Sequence, residues 1–67
     1  MGTMTATGTP GPQDVIIVIY RQSGERVTTA FGPEKSLRLW RARWTRDGRF
    51  IARQIDAAGH VREYGAL

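Results

Sequence analysis

The chain contains no cysteine and a single histidine, His60. Disulfides and thiolate metal sites are therefore excluded, and a zinc cage would have to be built from carboxylates. Long apolar runs are also missing. The longest, Val15 to Tyr20, is six residues, where a membrane span needs about 20. The N-terminus lacks the cationic start and apolar stretch of a secretion signal, so the expectation is a soluble cytoplasmic protein with no membrane partner. Lysine is nearly absent, since nine of the ten cations are arginine. A GC-rich bacterial genome produces that bias as readily as selection for charge does. The 67 residues suffice for one domain, and a chain this short buries only about 60% of its unfolded surface. That argues against a deep catalytic cleft.

Residues 1–13 hold three glycines, two prolines and four threonines, with no charge and no aliphatic side chain larger than Met. Such a segment cannot offset its ordering entropy by burial. It is expected to be a disordered tail preceding a small α+β domain over residues 14–67.

Val15 to Tyr20 is a β-branched run of strand length, followed by the turn composition Gln22-Ser23-Gly24-Glu25 and a second run, Arg26 to Phe31. This pattern predicts a hairpin. Counting by twos from Val27 through Thr29 turns Phe31 toward the core. Gly32-Pro33-Glu34 reads as a helix start, because proline suits the first turn and an acid complements the positive end of the dipole. At about 100° per residue, Leu37, Trp40 and Trp44 fall on one apolar stripe, and Asp47-Gly48 ends the helix. The competing reading takes residues 37–45 as a strand, making the domain an all-β five-stranded small barrel. The proline start and the helix formers Leu, Arg and Ala favour the helix. With strands at 49–55 and 60–64, the expected fold is β-β-α-β-β, a four-stranded antiparallel sheet carrying one helix.

No catalytic constellation is readable. Ser23 and Ser36 sit in a turn and in the first helical turn, and His60 stands beside a turn glycine, so no nucleophile, base and orienting group assemble. Asp47 and Asp56 precede turn glycines, where aspartate is favoured for bonding nearby backbone N–H groups. Neither a metal, a cofactor nor a Gly-rich phosphate loop is implied.

Charge is unevenly placed. Lys35 to Arg53 carries seven cations and one anion, whereas the other 48 residues sum to −2. On a helical wheel Lys35, Arg38, Arg43 and Arg46 lie away from the tryptophans, around Leu39, and Arg49 follows closely. These five cations are the candidate nucleic-acid contacts, although a simply solvated face uses the same residues, with pairs such as Glu34–Arg38 and Arg43–Asp47. In the first strand Ile16, Val18 and Tyr20 point opposite to Val15, Ile17 and Ile19, and one helix covers only one side of a sheet. Ile16, Val18 and Tyr20, together with Leu39, are therefore candidate interface residues for a homodimer or another partner. The expected function is non-enzymatic binding of nucleic acid through the arginine-rich helix face. The alternative is a protein-interaction or accessory protein that meets an acidic protein surface or docks through the apolar sheet face.

Overall fold

The computed structural model describes residues 11–65. Most of the expected tail lies outside that range. Gly11 to Gln13 belong to a turn fastened to the domain, with the Gly11 N–H donating to Asp14 Oδ2 at 2.8 Å and the Asp14 N–H to Gly11 O at 3.2 Å.

The elements are β1 (Val15–Arg21), β2 (Arg26–Gly32), α1 (Glu34–Thr45), β3 (Phe50–Ile55) and β4 (Val61–Tyr64). The strands form one antiparallel sheet in the order β2-β1-β3-β4. This is the β-β-α-β-β domain that the sequence predicts, and the five-stranded alternative is excluded because residues 34–45 are helical. The β1–β2 turn closes through the Arg21 N–H to Glu25 O (2.8 Å), and Gly24 occupies the left-handed region at φ 99°, where a side chain would be strained. α1 starts at Pro33, whose carbonyl accepts from the Leu37 N–H at 3.2 Å.

The helix covers one face of the sheet. Val15, Ile17, Ile19, Ala30, Leu37 and Ala52 are buried between the two layers, while Trp40, Trp44, Phe50 and Tyr64 pack around that cluster. One expectation is corrected here. Phe31 does not enter this core: it is paired with Ile16, one residue out of phase with the buried Ile17–Ala30 pair. The physical reason is clearance, since the strands beneath Leu37 present the small side chains Ala30 and Ala52, and an aromatic ring there would hold the helix off the sheet. Trp40 and Trp44 line the margin of the core, half-buried, rather than filling its centre. Their indoles meet edge to face at 6.2 Å, and Trp44 meets Phe50 likewise at 5.0 Å, a favourable geometry for aromatic quadrupoles.

Candidate nucleic-acid interface

Of the predicted cations, Lys35, Arg38 and Arg43 on α1 and Arg46 at its C-cap are exposed, and they surround Leu39, which is 62% exposed. Arg38 reaches back to Glu34 at 3.2 Å, the i,i+4 pair anticipated from spacing. Lys35, Arg43 and Arg46 carry no ion pair among the described residues. The anticipated Arg43–Asp47 pair does not form. Asp47 instead pairs with Arg49 at 3.6 Å and accepts from the Arg49 N–H at 3.2 Å, as an aspartate opening a turn commonly does. Arg49 is therefore placed beyond the helix end and partly neutralised, which separates it from the other four.

Two shallow cavities flank Arg43. One, of about 240 Å³, is lined by Leu39, Ala42, Arg43 and Arg46. The other, of about 230 Å³, is lined by Trp40, Arg43, Trp44, Asp47 and Phe50. The Arg43 guanidinium thus stands between a groove shared by Leu39, Ala42 and Arg46 and an aromatic one.

Leu39 shares no surface with Ile16, Val18 and Tyr20. It lies on the outer side of α1, and the other three lie on the sheet face that the helix does not cover and over which no described residue packs, with the whole domain between. On that face Phe31, Ile16, Ile55 and Val61 are cross-strand neighbours, forming one apolar row across all four strands. The next row is Thr29, Val18, Arg53 and Glu63, in which Arg53 and Glu63 pair at 2.7 Å. Arg53 also stands 5.3 Å from the Tyr20 ring centre. The Glu63 carboxylate, through its hydrogen bond and then its charge, pushes the Arg53 guanidinium pKa further up.

One cation has a role that the charge count concealed. Arg41 points inward with its side chain only 13% exposed. It donates to Gln54 Oε1, approaches Glu34 at 3.5 Å and stacks over Tyr64 at 3.9 Å. Gln54 is itself buried, so this bond gives its side-chain oxygen the partner that a buried amide needs. The helical wheel contained the signal, since Arg41 falls about 40° from Leu37, on the apolar side.

Asp56 follows the expected turn role. Its Oδ1 accepts from the Ala58 N–H at 3.0 Å and the His60 N–H at 2.9 Å. His60 Nδ1 stands 3.6 Å from the carboxylate. The backbone bond from His60, ahead of that from Ala58 and the charges of His60 and Arg62, holds the Asp56 carboxyl below its ordinary range.

No protein-family model, curated protein or solved structure matches the chain. No helix among the described residues is long and apolar enough to cross a membrane.

Proposed function

We propose that the protein is a non-enzymatic module that binds nucleic acid through the outer face of α1. The observation carrying this reading is the trio Lys35, Arg43 and Arg46, exposed on one helix side with no acidic partner among the described residues. Cations with no partner in the fold are available to phosphates, and releasing condensed counterions from a nucleic acid drives such binding without regard to sequence. Arg38 and Arg49 stand nearby as reserves, each already engaged with one carboxylate.

The test separates binding from folding. Changing Lys35, Arg43 and Arg46 together to Gln removes no buried contact, so the thermal midpoint is expected to stay within a few degrees. Retention on single-stranded and duplex oligonucleotides near 50 mM salt is expected to be lost, and the slope of log K against log[salt] to flatten by about three units if each cation meets one phosphate. Unchanged retention, or no binding by the parent chain, overturns the reading.

The uncovered apolar row supports a second reading, a protein-interaction module that docks through Ile16, Val18, Tyr20 and their cross-strand neighbours. Exposed contiguous apolar surface of this kind marks interaction sites.

A further inference from the structure

We infer that the cavity between Trp40 and Arg43 receives one unpaired base of a single-stranded nucleic acid. This rests on the nucleic-acid reading of α1 and names the form of nucleic acid that it takes. Trp40, Arg43, Trp44 and Asp47 follow the i, i+3, i+4 and i+7 spacing of one helix stripe, and Phe50 at the start of β3 closes the cavity that they line.

The rings are arranged to hold a flat group. Trp40 and Trp44 meet at 66° between planes, and Trp44 and Phe50 at 88°, so none is stacked face to face on another. Such a corner offers a planar ring one surface to stack on and a second to meet edge-on, both favourable geometries. The arginines show which surface is open. Tyr20, Phe50 and Tyr64 each have a guanidinium over the ring, from Arg53, Arg21 and Arg41. Neither indole has one among the described residues, although indole attracts cations best. Trp40 has one aromatic neighbour and Trp44 has two, which makes Trp40 the stacking surface and Trp44 the wall.

Size and charge select the occupant. At about 230 Å³ the cavity is smaller than the roughly 300 to 1,000 Å³ of a site for a whole drug-sized ligand, and it suits a single ring system. A cationic guest, the other common occupant of aromatic corners, is opposed by Arg43, which lines the same cavity and has no ion pair among the described residues. The one acid there, Asp47, is already paired with Arg49 at 3.6 Å. A nucleotide satisfies both parts of the site, with its base on Trp40 and its phosphate on Arg43. Within a duplex the base faces are covered by their neighbours in the stack, so this arrangement takes a single strand.

The chain's only tryptophans are these two, and intrinsic fluorescence therefore reports on this cavity. The full chain is titrated at about 50 mM salt with an oligothymidylate of about ten nucleotides, within the span of small single-strand-binding folds, and with a strand of the same length lacking its bases. Stacking of one base is expected to make the intact strand bind about five- to a hundredfold tighter than the abasic one. It is also expected to quench tryptophan emission, which the abasic strand leaves unchanged. Trp40→Leu, which keeps an apolar side chain at the core margin, is expected to bind both strands equally, at the parent's abasic level. Equal affinity of the parent for the two strands, or a preference without quenching, overturns the proposal while the phosphate reading stands. A preference that survives in Trp40→Leu also overturns it, because the base then lies on another aromatic ring such as Tyr20 or Phe31 of the sheet. Binding of the parent to neither strand overturns both readings. Where Trp40→Leu does not fold, the preference and the quenching of the parent decide.

Discussion

The two faces of the sheet receive almost identical side chains from β1, Val15, Ile17 and Ile19 on one and Ile16, Val18 and Tyr20 on the other, yet only the first set is buried. The difference comes from the flanking strands. Beneath the helix they contribute Ala30 and Ala52, whereas the other face receives Phe31, Ile51 and Ile55. Small residues let α1 approach closely and complete a core, while large ones build a raised surface with nothing over it among the described residues. A face serving only as solvent boundary would alternate toward polar residues. This one does so at Arg26, Thr29, Arg53 and Glu63, and of these Arg53 and Glu63 neutralise one another.

Substitutions on equivalent rows should expose the contrast most strongly. Ile17→Ala and Leu37→Ala each empty a site that is fully buried, and a loss of about 2 to 5 kcal/mol is expected from the transfer and cavity terms together. For so small a domain that is enough to unfold it. Ile16→Ala, one residue away and half-buried, should lose only part of the transfer term, about 1 kcal/mol, when measured at concentrations where the chain is monomeric. Urea unfolding of the three variants decides the matter. Equal losses at Ile16 and Ile17 would mean that the two faces are equally covered in solution.

The next effect concerns the polar edge of the covered face. Arg41→Met keeps the aliphatic stem but leaves Gln54 Oε1 buried without its donor, which should cost about 1 to 3 kcal/mol. Arg41→Lys is expected to recover little, because an ammonium does not reproduce the planar stack on Tyr64. Adding Gln54→Leu to Arg41→Met removes the orphaned acceptor and should restore much of the stability. If the double variant is no more stable than the single, the bond between Arg41 and Gln54 is not what holds this edge.

The same contrast explains what the sequence disclosed. The element order was legible because Pro33-Glu34 and Asp47-Gly48 bracket the helix with turn and cap chemistry, and the β-branched runs bracket the strands. The inside of β2 was not legible. Val27, Thr29 and Phe31 look like the stronger apolar phase, and only the closeness of α1 makes Ala30 the inward residue. The extra residue at Val27, where the register shifts between Ile19 and Tyr20, also breaks the two-residue count. Among the candidate site residues, Lys35, Arg38, Arg43 and Arg46 do share one exposed helix side, because helical spacing alone determines that. Leu39 and Ile16 were grouped as one interface but lie on opposite sides of the domain, since which sheet face the helix covers is decided by packing and not by local pattern.

The smallest effect is expected where neither face is involved, in the β3–β4 turn. Asp56 binds two backbone N–H groups as a carboxylate, and its pKa is depressed in the folded chain, first by the bond from His60. In the unfolded chain it should titrate near the ordinary value of about 3.9. A group whose folded pKa lies below its unfolded one binds its proton more readily when unfolded, so its contribution is complete above about pH 4 and is lost as pH falls through the folded value. Asp56→Asn keeps an acceptor oxygen but removes the charge. The parent should therefore unfold at a slightly higher temperature than Asp56→Asn at pH 7, with the gap closing below about pH 4. The charge is solvent-exposed and screened, so this gap should be narrower than that of either preceding comparison and should narrow further in high salt. Melting both proteins from pH 7 to pH 2 is the measurement, and a gap that stays constant over that range would show that the Asp56 charge contributes nothing to the turn.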